Sequence, residues 1–208
     1  MNFIHATNEF CCNRIVKSQC INPSETDIYS FLNVFFDRLQ NVILMDAWDS
    51  FLEKQDFNFF PGCSYKYLGS GVYCFEEIDK CVAKRYDEEK PVLLKIEVKN
   101  TISKLDLNKT EEMETLKKKF EIHMVNYISN LEEESEQLIY GYFAEIISYN
   151  ITKLLKGDKD GVPFSLGLSL DLLNYEKIYD IIFFKFPKRE ANYVTIKEIS
   201  VITNLSKC

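Results

Sequence analysis

The sequence predicts an α+β fold in a single domain over residues 1–208, on two kinds of pattern. Short runs rich in β-branched and aromatic residues, such as 72–75 and 92–98, are typical of strands. Longer segments repeat apolar residues every three or four positions, which is typical of helices with one buried side. Because helical segments at about 24–56 and 108–157 interrupt the strand pattern, we interpret them as insertions in a core built from strands.

The chain opens with a predicted strand over residues 2–6 and a helix that ends near Lys17. Thr7 or Asn8 can cap this helix, because either side-chain oxygen accepts a hydrogen bond from the first helical N–H groups. The predicted inner side of this helix carries Phe10, Cys11, Ile15 and Val16. A second helix begins near Ser24, after Pro23, and one face of it carries the apolar residues Ile28, Phe31, Leu32, Phe35, Phe36 and Leu39.

Residues 67–98 form the most distinctive stretch of the sequence. Gly69 and Gly71 predict a tight turn, because glycine adopts backbone angles that are closed to other residues. A strand over 72–75, a helix over about 76–86 and a strand over 92–98 follow, with Pro91 excluded from the helix. The turn lies beside Tyr73, so the sequence predicts an opening where a ligand can approach the backbone.

The second half of the chain begins with two predicted helices and ends with strands. One helix covers about 110–131 and the next about 136–156, each with an apolar stripe. The segment 158–163 carries the strongest loop signal. Residues 178–186 are apolar enough for a buried strand, and 193–202 supply one or two further strand segments before a short tail.

Composition restricts the classes of function. Hydrophobic residues make up 46% of the chain, which is enough to build a packed core. The net charge of −7 disfavours an extended nucleic-acid groove, because phosphate contacts need clustered Lys and Arg. Two His and seven Cys without a C-x-x-C pair do not give metal-ligand spacing, so no metal is predicted. There is no signal-peptide pattern and no apolar run of about 20 residues, so we expect a cytoplasmic protein without a membrane partner.

Three short motifs occur in order along the chain. His5-Ala6-Thr7 comes first, Gly-Ser-Gly-Val-Tyr at 69–73 second, and Asn-Tyr-Val-Thr-Ile at 192–196 last. Together with the Ala-x-x-Tyr helix at 83–86, they resemble the nicotinamide-binding end of ADP-ribosyltransferases. The likeness is to the branch that holds poly(ADP-ribose) polymerases and diphtheria-toxin-type enzymes. It implies a split mixed β-sheet core and NAD as the substrate.

The resemblance also implies roles for single residues. His5 would hydrogen-bond the adenosine ribose, while Tyr73 and Tyr86 would enclose the nicotinamide ring. The cofactor-binding set that it implies is His5, Ala6, Thr7, Gly71, Tyr73 and Tyr86. Aromatic faces suit a flat cationic ring, because π electrons attract positive charge.

Three positions depart from the family pattern. Ala6 replaces the usual Gly, and Ala83 stands where the polymerases have a Ser that binds the nicotinamide amide. Asn192 stands where a catalytic Glu is expected. Glu190 lies two residues earlier, on the same side of an extended strand, and can supply the missing charge. The catalytic set implied here is therefore Glu190, Asn192 and Tyr73.

The first functional hypothesis is an intracellular, toxin-like mono-ADP-ribosyltransferase that moves ADP-ribose from NAD to a macromolecule, preferably a protein rather than nucleic acid. Asn192 favours an alternative, a binding module of the same fold without catalysis. A NAD glycohydrolase, in which water replaces the acceptor, is a third hypothesis. A nucleophile formed by Cys11 or Cys12 with His5 is weaker, because seven cysteines make such pairs common by chance.

Overall fold

The structure, a computed structural model, describes residues 1–44, 67–79, 91–158, 164–186 and 191–208. It combines seven strands and five α-helices within these residues, which confirms the α+β class. The strands are β1 Asn2–Thr7, β2 Val72–Glu76, β3 Val92–Val98, β4 Lys104–Asp106, β5 Ile181–Phe184, β6 Tyr193–Ile196 and β7 Ile202–Lys207. The helices are α1 Glu9–Ser18, α2 Ile28–Leu44, α3 Thr110–Ile128, α4 Glu134–Leu155 and α5 Phe164–Leu172. Short 3₁₀ turns cover Glu77–Asp79, Tyr175–Lys177 and Ile199–Val201.

All seven strands belong to one mixed sheet in the order β4-β5-β6-β2-β1-β3-β7. The β4–β5 pair is parallel, and the other pairs are antiparallel. The chain divides into two compact units. One is Met1–Glu25, Ser70–Glu112 and Asn174–Cys208, and the other is Thr26–Gly69 and Met113–Leu173. The first unit holds the sheet and α1, and the second is helical in its described residues. A single domain over 1–208 stays a prediction.

In the sheet unit, α1 packs on one face of the sheet, which we call the α1 face. Its core joins Cys12 of α1 to alternate strand residues. Those strand residues are Phe3, Val72, Cys74, Leu94, Ile96, Val98, Ile181, Phe183, Val194, Ile196 and Leu205. The expected inner side of α1 was wrong in two respects, because Phe10 is 74% exposed and because Cys12, rather than the predicted Cys11, is the fully buried residue of the helix. Asn8 caps α1 as predicted, since its side chain accepts a bond from the Cys11 N–H at 2.8 Å.

The helical unit is held by aromatic packing. Phe35 of α2 is fully buried and meets Phe143 of α4 edge to face, with ring centroids 5.4 Å apart. Phe120 of α3 joins the same group, since its ring centroid lies 6.5 Å from that of Phe143. The predicted stripes on these helices are therefore confirmed at their central positions. Away from this packing, Tyr127 of α3 and Leu138 of α4 are 43% and 51% exposed.

Candidate functional site

The sheet order brings together three stretches that lie far apart in the sequence. β1 carries His5, β2 carries Tyr73, and Asn192 directly precedes β6. These strands are neighbours in the order β6-β2-β1. β2 pairs with β6 over four residues, and Tyr73 lies opposite Thr195. The sequence motifs therefore meet in the middle of one sheet, within the sheet unit.

The contact between β1 and β2 is short. Its register contains two pairs within the described residues, Phe3 with Glu76 and Ile4 with Phe75, whereas β1 pairs with β3 over six. After Ile4, the backbone pairing between β1 and β2 stops. The next contact comes from the His5 side chain, whose Nδ1 lies 2.7 Å from the Tyr73 carbonyl oxygen. Residues 5–7 stay paired with β3 but not with β2, so the backbone pairing of β1 and β2 ends at the His5 motif.

This hydrogen bond fixes the chemical state of His5. A carbonyl oxygen only accepts, so His5 Nδ1 donates, and Nε2 of the neutral ring carries the lone pair. Burial lowers the pKa of His5, and the bond to the Tyr73 carbonyl opposes this effect in part. The half-buried ring therefore presents an acceptor nitrogen, which can take a hydrogen bond from a ligand hydroxyl.

The two glycines of the turn are each approached closely by protein atoms. Gly71 has φ of 140°, and a Cβ there would lie 2.5 Å from Thr195 Cγ2 and 2.7 Å from the Ile196 carbonyl oxygen. Its N–H and C=O both pair with the backbone of Ser24, each at 2.9 Å. Gly69 has φ of 71°, and a Cβ there would meet the Asp171 carboxylate. Packing alone accounts for both glycines, and ligand binding by Gly71 stays a prediction.

The register assigns the site residues to two faces of the sheet. His5 lies opposite Leu94 of the α1-face core, so it belongs to that face. Tyr73 lies between Val72 and Cys74 of the same core, so its side chain starts from the opposite face, which we call the Tyr73 face. Ala6 and Thr195 share the Tyr73 face by the same alternation. His5 and Tyr73 therefore start from opposite faces of the sheet, and the structure joins them through the Tyr73 backbone carbonyl.

Asn192 belongs to a polar network at the far end of β2. Its Nδ2 donates to Glu76 Oε2 at 2.7 Å, and its backbone N–H donates to Asp79 Oδ2 at 3.2 Å. Asn108 Nδ2 lies 3.4 Å from the Asn192 Oδ1. Glu76 is three positions along β2 from Tyr73. The structure thus joins Asn192 to Glu76 directly but not to Tyr73.

Glu76 is the residue that sequence reasoning missed. It was interpreted as the first residue of a helix, and in the structure it is the last residue of β2. Only its pairing across the sheet brings its carboxylate to position 192, so no local pattern could have identified it. Of the predicted helix at 76–86, the structure describes a 3₁₀ turn over Glu77–Asp79.

Two predicted site residues, Glu190 and Tyr86, lie outside the described residues, as does Ala83.

The hypothesis of a cysteine nucleophile is disfavoured at Cys12, because burial raises the pKa of this thiol. Within the described residues, no three His, Cys, Asp or Glu side chains form a group that could hold a metal ion. None of the described helices is long and apolar enough to cross a membrane.

Comparison with models of protein families, with curated proteins and with solved structures gives no match to this chain.

Proposed function

We propose that the chain is a NAD-dependent mono-ADP-ribosyltransferase that modifies a macromolecule, preferably a protein, inside a cell. The observation that carries this proposal is the hydrogen bond from His5 Nδ1 to the Tyr73 carbonyl, at the point where the backbone pairing of β1 and β2 ends. Two motifs that the resemblance assigns to one dinucleotide thereby contact each other. The third motif follows on the next strand, β6.

In the proposed reaction, the bond between nicotinamide and its ribose breaks, and nicotinamide leaves with the bonding electrons. A nucleophile of the acceptor forms a new bond to the ribose carbon and loses its proton. The transition state resembles an oxocarbenium ion, so a carboxylate held near the ribose lowers the barrier. His5 Nε2 would accept a hydrogen bond from the adenosine ribose, and Tyr73 would lie against the nicotinamide ring.

Glu190 is the residue to which the sequence assigns the negative charge beside the ribose. Glu76 has another role, because it positions the Asn192 side chain. The bond of 2.7 Å between Asn192 Nδ2 and Glu76 Oε2 turns the Asn192 carbonyl oxygen towards Asn108 Nδ2, 3.4 Å away, and this oxygen has a second lone pair for a ligand hydroxyl. A carboxylate that holds an amide in this way fixes which end of the amide a ribose hydroxyl meets. Asn192 and Glu76 therefore act as one unit.

A second candidate function is a binding module that holds NAD without cleaving it. The specific observation in its favour is that position 192 carries an amide, which is hydrogen-bonded to Glu76. Catalysis requires a negative charge at this position beside the ribose. An amide binds a ribose hydroxyl but stabilises a cation less than a carboxylate does.

One assay separates these functions. Purified protein is incubated with NAD, and free nicotinamide and ADP-ribose attached to added proteins are measured in parallel. Transfer to protein supports the proposed function, and nicotinamide release without transfer indicates a glycohydrolase. NAD binding without release indicates the binding module. Protein that neither binds nor cleaves NAD contradicts all three.

Variants of the three polar residues test the assignment of roles. We expect Glu190→Gln to lower nicotinamide release by about 10²–10³, the usual cost of losing a preorganised electrostatic group. Asn192→Ala and Glu76→Gln should weaken release less. Because both act through one hydrogen bond, the double variant should be no worse than the more impaired of the two single variants. Glu77→Gln, which changes the neighbouring exposed carboxylate, is the matched control. If the losses of nicotinamide release in the two single variants add up in the double variant, Asn192 and Glu76 do not act through one hydrogen bond.

A further inference from the structure

β7 is the outer strand at one end of the sheet, in the part of the chain that the structure describes. An outer strand directs every second N–H and C=O away from its neighbour, so these groups can pair with another chain. The Cys208 N–H donates to the Leu93 carbonyl oxygen of β3 at 2.9 Å, so the backbone of residue 208 faces β3. By alternation, the backbone groups of Lys207 and Leu205 face outward.

The outward groups of Leu205 are both bound by the side chain of Gln19. The Leu205 N–H donates to Gln19 Oε1 at 3.0 Å, and Gln19 Nε2 donates to the Leu205 carbonyl oxygen at 2.8 Å. A side-chain amide offers an acceptor and a donor in one plane, as a backbone peptide group does. The Gln19 amide therefore takes the place that a residue of a further strand would take.

The backbone of Gln19 would suit glycine better than glutamine. Gln19 ends α1 in the left-handed region, with φ of 52° and ψ of 34°. Glycine and asparagine adopt this conformation most readily, and other residues are disfavoured there. Gln19 Nε2 also donates to the carbonyl oxygen of Val16, in the last turn of α1, at 2.8 Å. The side chain rather than the backbone thus accounts for a glutamine at this position.

The opposite edge of the sheet, at β4, is also closed by contacts within the chain. The Asp106 N–H donates to Glu112 Oε2 at 2.7 Å, and the Asp106 carbonyl oxygen accepts a bond from the Lys109 N–H at 3.0 Å. β4 covers three residues, whereas β7 covers six. A further strand would therefore have more room on β7, where Gln19 lies.

We propose that the Gln19 side chain closes the β7 edge and thereby prevents two copies of this chain from pairing through their β7 strands. Leu205 presents one donor and one acceptor, so two copies related by a twofold axis can exchange both hydrogen bonds as an antiparallel pair. This register places Lys207 opposite Thr203 of the second copy, so no like charges lie directly opposite each other. Gln19 is exposed, so a second strand can reach the same groups once the amide is removed. This role does not depend on NAD binding.

The test measures self-association by sedimentation equilibrium for wild type, Gln19→Gly and the double variant Gln19→Gly with Lys207→Pro. Glycine suits a φ of 52°, so Gln19→Gly removes the amide and keeps the fold. Its dimer dissociation constant should be at least about tenfold lower than that of wild type, because two neutral hydrogen bonds become available to the second copy. Lys207→Pro should reverse this effect, because proline has no N–H to donate to an added strand.

Asn174→Gly is the matched control. Asn174 also has φ of 52°, its side chain makes no capping hydrogen bond, and it lies outside the strands. Its self-association should equal that of wild type. Hydrogen exchange of wild type gives a measurement that needs no variant, since the Leu205 amide should exchange more slowly than the outward-facing Lys207 amide.

Four results would overturn the role of Gln19. The first is a Gln19→Gly variant that associates no more strongly than wild type. The second is a dimer that persists in the double variant, because the two copies then pair through another surface. The third is an equal gain of association in Asn174→Gly, because the left-handed backbone and not the amide then decides the result. The fourth is a wild-type Leu205 amide that exchanges as fast as that of Lys207.

Discussion

At the scale of single residues, the hydrogen bond between His5 Nδ1 and the Tyr73 carbonyl ties two motifs into one unit. The resemblance implies that His5 is a ribose ligand but gives no partner for its ring. The partner is the backbone carbonyl of Tyr73, which lies two residues along β2 from Phe75, where the pairing with β1 ends. The Tyr73 side chain therefore has no part in this bond. Any residue at 73 would supply this carbonyl, which explains why local sequence could not reveal the bond.

The lowered pKa of His5 predicts a pH dependence of stability. Because burial holds the folded-state pKa below the usual value of 6.5, the unfolded chain binds more protons between these two pKa values. The free energy of unfolding should therefore rise with pH through this window, and this contribution should be lost as the pH falls below about 6.5. Denaturant unfolding between pH 5 and 8 measures it.

His5→Asn is the comparison for this prediction, because Asn keeps a donor near the position of Nδ1 but does not titrate. The stability of wild type relative to His5→Asn should decrease as the pH is lowered. A difference between the two proteins that stays constant with pH would contradict the effect of burial on His5.

Gly71 predicts a second effect at this scale. Its φ is 140°, and a Cβ at this position would lie 2.5 Å from Thr195 Cγ2, so there is no room for a side chain. Gly71→Ala should lower the free energy of unfolding by about 2 kcal/mol or more. Gly141 in α4 has no atom within 4 Å of the position that a Cβ would take, so Gly141→Ala should raise stability by about 0.5–1 kcal/mol. Equal effects of the two variants in denaturant melts would contradict the close approach at Gly71.

At the scale of elements, the buried stripe of α2 carries a stability prediction. Phe35 is fully buried, with the rings of Phe31, Phe36 and Phe143 around it. Phe35→Ala should cost about 3–5 kcal/mol, because the cavity left by a buried ring collapses only in part. Phe10→Ala is the control, since Phe10 is 74% exposed, and it should change stability by less than about 0.5 kcal/mol. A loss under about 0.5 kcal/mol for Phe35→Ala would show that the stripe is not buried.

Elements with a clear period were predictable from the sequence, and those without one were not. The strand at 92–98 was predicted with its bounds, because Val92, Leu94, Ile96 and Val98 recur at every second position. Helix α5 was missed, since Leu166, Leu168 and Leu170 are all buried and no side of the helix is polar. β7 was expected to be a tail, because Leu205 is its only fully buried residue and its pairing with β3 is not local.

At the scale of the whole chain, the sheet order decides what the motifs can do. Local patterns predicted β1, β2 and β6 as strands but contain no information on which strands are neighbours. Their adjacency was expected only through the resemblance to ADP-ribosyltransferases. The partner of Asn192 was not predicted, because Glu76 reaches it through the same adjacency. His5, Tyr73 and Asn192 could therefore be singled out as candidates from the sequence, whereas Glu76 and the contacts between these residues could not.

The central claim is that the chain binds NAD at the residues where the β1–β2 pairing ends, and calorimetric titration of purified protein with NAD tests it most directly. Wild type should bind NAD at one site per chain. Tyr73→Ala should abolish binding, because the nicotinamide ring loses its aromatic contact while the backbone carbonyl that holds His5 remains. Tyr29→Ala, which changes a tyrosine that is 79% exposed on α2, should bind as wild type does. Wild type that gives no heat and no shift in melting temperature with NAD, or Tyr73→Ala that binds NAD unchanged, would contradict the claim.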